Sequence, residues 1–150
     1  MQPIFEASGP ALDRYFNKQN AIERLIADYN EHGHLIVAYD FDETVYPWDG
    51  GSCDQVIELL QVCSKIPTID MVVFTCRGPS DRQMVEDYLN NKDIRHDAIN
   101  ENVDRVKSEV GDGKDSKVLY SVFLDDRAGL PAAYETLVGF LEWYYREVVN

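Results

Sequence analysis

Two aspartates two residues apart, Asp40 and Asp42, are the side chains in this sequence whose type and spacing point most directly to chemistry. They end a nearly continuous apolar run over residues 34–39 and are followed by Thr44. Such a run, rich in Leu, Ile and Val, predicts a strand buried on both faces, as in a parallel sheet. Because ligands of open α/β sheets bind beyond the carboxyl ends of the strands, we predict that the acidic pair is functional. The alternative is a solvated strand-to-turn junction, where Asp is also common.

Two further apolar runs end in polar residues in the same way. Residues 71–74 lead into Thr75, Cys76 and Arg77, and residues 121–124 end in Asp125-Asp126. Three strands that each deliver polar residues at the same end indicate one shared site more strongly than any strand alone.

Four carboxylates, those of Asp40, Asp42, Asp125 and Asp126, are expected to converge at this site. Two unit charges about 4 Å apart repel by about 4 kcal/mol at an effective dielectric constant near 20. The cluster therefore requires a cation, and a hard site built only from oxygen ligands fits Mg²⁺.

These motifs resemble those of the haloacid dehalogenase superfamily of aspartate-nucleophile phosphotransferases, in particular its small capless phage- and bacterial-type phosphatases. The resemblance covers residues 34–140, and residues 97–102 and 123–131 also look like that subgroup. The matched motifs, in chain order, are Asp40-Phe41-Asp42-Glu43-Thr44, Thr75, Lys117 and Asp125-Asp126.

The resemblance implies a role for each matched residue. Asp40 would attack phosphorus and form an aspartyl-phosphate, and Asp42 would act as general acid and then general base. The Mg²⁺ ligands would be Asp40, the backbone carbonyl of Asp42, Asp125 and Asp126. The phosphate-binding groups would be Thr75, Lys117, the backbone of Cys76, and Arg77.

Several of these roles have open alternatives. Lys114, in the polar glycine-containing loop 110–116, competes with Lys117 for the role of phosphate-binding lysine. Arg77 either contacts the phosphate or substrate or is a surface residue. Asn100 and Asn102 either line the pocket or cap the next turn.

The loop 45–51 after the first strand is the expected partial cover of the site. Its Tyr46 and Trp48 either stack on a substrate ring or pack against the domain, and packing is the favoured interpretation.

Length and composition predict one domain over residues 1–150, with 45% hydrophobic and 11% aromatic residues, which suffices for a core. Neither a membrane-spanning run nor a secretory signal is recognisable. Cys53, Cys63 and Cys76 have no metal-ligand spacing and indicate reduced thiols in a cytoplasmic protein, although a Cys53–Cys63 bridge stays open.

The net charge of −13, from 14 basic and 27 acidic residues, argues against tight binding to a long nucleic acid. It does not argue against a small phosphorylated substrate such as a sugar phosphate or a nucleotide. The oligomeric state does not follow from the sequence.

The elements that must position the site predict a three-layer, Rossmann-like α/β domain with a mainly parallel sheet. We expect residues 1–33 to form an N-terminal helical extension that packs on the core. Only 28 residues (43–70) separate Asp42 from Met71, and 41 (76–116) separate Thr75 from Lys117, so no sizeable cap domain fits. Helices are expected over residues 10–29, 54–63 (Ser52 as a cap), 80–91 (Ser80 as a cap) and 131–149.

The expected function is Mg²⁺-dependent phosphomonoester hydrolysis. A nucleotidase or phosphotransferase of the same superfamily would use the same residues. A catalytically idle relative that binds a phosphorylated ligand or a protein is the alternative from another class.

Overall fold

The computed structural model describes residues 13–150, in which helices and strands alternate. In chain order the elements are α1 (Lys18–His32), β1 (Leu35–Asp40), α2 (Asp54–Ser64), β2 (Ile69–Phe74), α3 (Arg82–Asn91), β3 (Ala98–Ile99), α4 (Asp104–Val110), β4 (Val122–Leu124) and α5 (Leu130–Tyr144).

The four strands form one sheet in the order β3-β2-β1-β4, and every neighbouring pair is parallel. Strand β1 is central, and its residues 35–39 are all buried, as the continuous apolar run predicts. In its register with β2, Asp40 lies opposite Phe74. The predicted α/β class and parallel sheet are therefore confirmed.

Helices cover the two faces of the sheet unequally. Side chains alternate along β1, so that Leu35, Val37 and Tyr39 pack against α1, α2, α3 and α5. Ile36 and Ala38 face a smaller cluster supplied by α4 and the segment that follows it. The result is the expected three-layer arrangement, in which one outer layer is thin.

The first helix begins later than predicted. Pro10 to Leu12 lie outside the described residues, and Arg14–Phe16 form a separate 3₁₀ turn. Asn17 caps α1, because its side-chain oxygen accepts the N–H of Asn20 at 3.0 Å. Phe16 lies in that 3₁₀ turn and is 83% exposed. The helix ends as predicted at Gly33, which adopts φ 71° and donates its N–H to the carbonyl of Tyr29.

Ser80 is not a helix cap. It lies inside a 3₁₀ turn, Pro79–Asp81, and α3 begins at Arg82. Ser52 does serve the start of α2, since its hydroxyl accepts the N–H of Asp54 at 3.2 Å.

Helix α4 was not predicted at all. It has seven residues and buries only Val106, so it has no repeating apolar pattern from which it could be recognised. The expected last helix ends at Tyr144, and Tyr145–Val149 continue it as a wider π-helical turn.

Within residues 13–150, each connection after β1 and β2 consists of a loop and a single helix, so no cap domain is present. None of the helices in this part of the chain has the length and apolar content needed to cross a bilayer. Cys53 and Cys63 are buried, Cys76 is exposed, and all three thiols are free.

Candidate active site

The carboxyl ends of the four parallel strands lie at one edge of the sheet and present polar residues there. Asp40 is the last residue of β1, Thr75 follows β2, Asn100 follows β3 and Asp125 follows β4. The three strand ends identified in the sequence therefore meet, as parallel pairing requires.

Three carboxylates form a cluster at this edge. Oxygen atoms of Asp40, Asp125 and Asp126 all lie within 4.8 Å of one another. Burial, the charge of Asp125, and the hydrogen bond and charge of Asp126 raise the pKa of Asp40 to about 7. Ionising all three carboxylates without a metal is therefore unfavourable, and a bound cation would offset their repulsion.

The buried side chain of Thr44 is hydrogen-bonded to two members of this cluster, Asp40 and Asp126. It is 1% exposed, and its hydroxyl accepts the backbone N–H of Asp126 at 3.0 Å. The same hydroxyl lies 3.3 Å from a carboxylate oxygen of Asp40 and 3.1 Å from one of Asp126, to which it can donate. It thus joins the ends of β1 and β4 although 82 residues separate Thr44 from Asp126.

The loop after β1 is a tight turn held by its apolar residues. The Phe41 carbonyl accepts N–H groups from Val45 and Tyr46, both at 3.0 Å, and the side chains of Phe41 and Val45 are fully buried. Glu43 adopts φ 62°, a left-handed conformation that completes the reversal. The turn leaves Asp42 on the outer side, away from the three-carboxylate cluster.

Asp42 forms a salt bridge with Arg77 and is not part of the three-carboxylate cluster. Arg77 Nη2 donates to it at 2.7 Å and Arg77 Nε at 3.1 Å, while Trp48 Nε1 donates at 3.0 Å. Burial raises the pKa of Asp42, but the hydrogen bonds from Arg77 and Trp48 and the charge of Arg77 outweigh it, so the pKa lies below its usual value. The sequence predicts that Asp42 lies at the site but does not predict its salt bridge with Arg77.

The two aromatic residues of the covering loop behave differently. Tyr46 packs against the domain, with its ring 5.2 Å from that of Phe41 and at 17° to it. Trp48 is 49% exposed and contacts the site through its hydrogen bond to Asp42.

Thr75 is held in place by Asn100. The side-chain oxygen of Asn100 accepts the Thr75 N–H at 2.8 Å, and its amide nitrogen donates to the Thr75 carbonyl at 2.9 Å. The Thr75 hydroxyl in turn accepts the Arg77 N–H at 3.0 Å. Cys76 lies between them with its side chain exposed. Asn100 therefore positions the Thr75 loop instead of capping its own turn.

Asn102 has a different function from Asn100. Its side chain is fully buried, donates to the carbonyl of Gly111 at 2.9 Å and accepts the N–H of Leu119 at 2.7 Å. It neither lines the cluster nor caps a helix. It clamps the loop that carries the candidate lysines.

The two candidate lysines lie in different surroundings. Lys114 forms a salt bridge with Glu101 at 3.3 Å. Lys117 is exposed, and its Nζ lies 5.8 Å from the centre of the Tyr120 ring. That ring packs on Phe123 and Phe74, and Phe74 is the β2 partner of Asp40. Lys117 therefore lies on the face of the sheet to which Asp40 points, whereas the charge of Lys114 is already paired.

Thr44, Asn100 and Trp48 are the site residues to which sequence reasoning gave no role or a different one. Each acts through a hydrogen bond to a group brought close only by folding. A small polar residue directly beyond a buried strand, such as Thr44, is the one signal that the sequence contains.

Comparison of the chain with protein-family models, with curated proteins and with solved structures gives no match. The functional interpretation therefore rests on the geometry of the site and on the motif resemblance.

Proposed function

We propose that this protein is a Mg²⁺-dependent phosphomonoester hydrolase with Asp40 as its nucleophile. The observation that carries the proposal is the convergence of Asp40, Asp125 and Asp126 within 4.8 Å at the carboxyl edge of a parallel sheet. Three carboxylates this close repel one another, and a bound cation would offset that repulsion.

The donor atoms available at the cluster fit Mg²⁺. They are the carboxylates of Asp40, Asp125 and Asp126, joined by the backbone carbonyl of Asp42 on the adjoining loop. All are hard oxygen ligands, and the few protein ligands leave positions for water and substrate phosphate. When bound, Mg²⁺ supplies charge neutralisation between the attacking carboxylate and the phosphoryl group.

Residues of the chain supply the nucleophile and the groups that bind the phosphoryl oxygens. A carboxylate oxygen of Asp40 attacks phosphorus, the bond to the leaving oxygen breaks, and an aspartyl-phosphate results. The hydroxyl of Thr75, the N–H of Cys76 and the ammonium group of Lys117 bind the phosphoryl oxygens. Lys117 is preferred to Lys114 because no acidic partner holds it among the described residues.

Asp42 delivers a proton to the leaving oxygen and then accepts one from the attacking water. In the structure it is paired with Arg77, which keeps it ionised and ready for the second of these steps. The first step requires that the pair loosen when substrate is bound.

The open edge favours a small substrate, such as a sugar phosphate or a nucleotide. The net charge of −13 disfavours a long nucleic acid. Free thiols at Cys53, Cys63 and Cys76 favour a reducing compartment such as the cytoplasm. A nucleotidase or a phosphotransferase would employ the same groups. An idle binding relative is disfavoured, because every side chain that the chemistry needs is present.

Phosphate release from a broad panel of phosphomonoesters tests the proposal, with Mg²⁺ and with chelator. We expect release that depends on Mg²⁺ and falls by about 10⁴-fold or more in Asp40→Asn, because the nucleophile is lost. Asp87→Asn, which removes one exposed carboxylate on α3, is the control and should behave as the wild type. Wild-type rates in Asp40→Asn would contradict the covalent route, and no release from any compound would contradict hydrolysis.

A further inference from the structure

A cavity of about 150 Å³ opens beside Thr75. Its lining includes Thr75, Asn100, Val85 and two arginines, Arg77 and Arg82. None of the three clustered carboxylates lines it. The cavity thus adjoins the proposed phosphoryl site through Thr75 but is a separate space.

The charge that lines this cavity is opposite to that of the protein as a whole. The chain has 27 acidic and only 14 basic residues, yet both charged residues of the lining are arginines. Arg82 is exposed and forms no salt bridge with any residue in the described part of the chain. A cavity with two guanidinium groups in an acidic protein indicates an anionic ligand.

Arg77 retains donors for such a ligand. Its Nε and Nη2 are used by Asp42. Its Nη1 lies 3.9 Å from the nearest carboxylate oxygen of Asp81, beyond hydrogen-bond distance. Arg77 therefore bridges the proposed catalytic residue Asp42 and the cavity.

The uncharged lining residues do not compete for an anion. Both polar ends of the Asn100 amide are occupied by the backbone of Thr75. Val85 is 1% exposed and contributes an apolar wall. The cavity has room for a phosphate group, whose five heavy atoms each take about the space of a water molecule, about 30 Å³.

We propose that the substrate carries a second anionic group beside the phosphate that is cleaved, and that Arg77 and Arg82 bind this group. The inference rests on the proposed function, in which Thr75 binds the phosphoryl group that is transferred. It assigns the substrate class: bisphosphorylated compounds or phosphorylated carboxylic acids are preferred over simple monoesters. Arg82 is the specificity residue, since Arg77 is shared with Asp42.

Binding of a matched ligand series tests the proposal without relying on turnover. Calorimetry with Asp40→Asn and Mg²⁺ compares alkyl monophosphates of two to four carbons with α,ω-bisphosphates and ω-carboxylates of the same lengths. A charge-assisted contact to two guanidinium groups should make at least one ligand with a second anionic group bind about ten-fold tighter than its monophosphate. A larger gain for the bisphosphate or for the carboxylate identifies which group the cavity takes.

Substitution of Arg82 completes the test. Arg82→Gln, added to Asp40→Asn, should abolish the gain, whereas Arg146→Gln, which removes an exposed arginine paired with Glu147, should preserve it. The proposal is overturned if no ligand with a second anionic group gains more than a factor of about two, which a bisphosphate gains merely from its two equivalent ends. It is equally overturned if the gain persists in Arg82→Gln.

Hydrolysis of the same compounds by the wild type separates this inference from the proposed function. Cleavage of monophosphates without any preference for a second anionic group overturns the second-anion site alone. Tighter binding of ligands with a second anionic group that is lost in Arg82→Gln, with no cleavage of any compound, supports the site and overturns the hydrolase.

Discussion

Asp40 and Asp42 are neighbours in the chain, but folding gives their carboxyl groups different surroundings. Asp40 faces Asp125 and Asp126, and its pKa rises to about 7. Asp42 faces Arg77 and Trp48, and its pKa falls. Without metal, Asp40 therefore holds its proton more tightly than Asp42, so the proposed roles require both a bound cation at Asp40 and a loosened Arg77 pair at Asp42.

The raised pKa of Asp40 predicts how the stability of the metal-free protein depends on pH. The folded protein holds the Asp40 proton more tightly than the unfolded chain, whose carboxyl groups titrate near about 4. The contribution of this proton to stability is therefore full below about pH 4 and is lost as the pH rises to about 7.

We expect Asp40→Asn to unfold at a higher temperature than the wild type at pH 8 without metal, because the repelling charge is removed. Mg²⁺ should raise the melting temperature of the wild type more than that of the variant. Thermal unfolding followed by circular dichroism between pH 4 and 8 measures both effects, with Asp87→Asn as the control. An Asp40→Asn protein that melts below the wild type at pH 8 without metal would contradict the electrostatic account.

At this scale the sequence predicted which carboxylates meet but not how each is paired. Asp40 and Asp125 follow apolar runs whose ends must coincide in a parallel sheet. The Arg77–Asp42 pair joins residues 35 positions apart, and nothing local in the sequence specifies it. Nothing local in the sequence specifies the hydrogen bonds between Asn100 and the backbone of Thr75 either, because 25 positions separate the two residues.

Strands and long helices were predictable because each has a distinctive apolar pattern, whereas the short helix α4 was not. Strand β1 is recognisable from its unbroken apolar run, and α2 from its buried residues at helical spacing. Helix α4 buries only Val106 and leaves no such pattern. The loop between α4 and β4, which carries Lys117, depends instead on the buried side chain of Asn102.

Two glycines of this loop offer a matched test of its packing. Gly111 and Gly113 have nearly the same φ, 82° and 81°, so alanine is strained at both. A Cβ at Gly111 would meet nothing within 4 Å, whereas one at Gly113 would lie 2.9 Å from Asn102 Nδ2.

We expect Gly111→Ala to lower the free energy of unfolding by about 1–3 kcal/mol, because its φ of 82° with ψ of −175° is a backbone conformation essentially restricted to glycine. Gly113→Ala should lower it by about 1–3 kcal/mol more, because the side chain of Asn102 must shift. Urea unfolding measures the difference. Phosphate release should also weaken in Gly113→Ala alone, since Lys117 moves with the loop. Equal effects of the two substitutions on the free energy of unfolding would show that Asn102 does not organise the loop between α4 and β4.

At the scale of the whole molecule, α1 packs in parallel on α5, which joins the first described helix to the last. Tyr29 of α1 packs on Phe140, Trp143 and Tyr144 of α5. Gly139 permits the close approach, because a Cβ there would overlap the side-chain end of Ile22. The sequence predicted a core-facing helix from its periodicity but could not identify its partner.

Gly139→Ala tests this contact at the level of the whole fold. Overlap with Ile22 should cost about 1–3 kcal/mol, partly offset by about 1 kcal/mol of helix propensity gained by alanine. Ile22→Val alone should cost about 0.5–1.5 kcal/mol. The double variant should be more stable than the sum of the two changes predicts, because valine lacks the methyl group that overlaps. Additive free energies from urea unfolding would show that the two side chains do not meet.

Phosphorylation of Asp40 is the most direct measurement of the central claim. In Asp42→Asn the base that activates water is missing, so an aspartyl-phosphate should form and persist. With p-nitrophenyl phosphate, whose leaving group needs little protonation, the first step should still proceed.

We would quench Asp42→Asn with acid during turnover in Mg²⁺ and locate phosphoryl groups by peptide mass spectrometry. We predict one phosphoryl group on Asp40, absent in chelator and absent in the Asp40→Asn/Asp42→Asn double variant. Wild-type rates of phosphate release by Asp42→Asn, with no phosphoryl group on Asp40, would contradict the account.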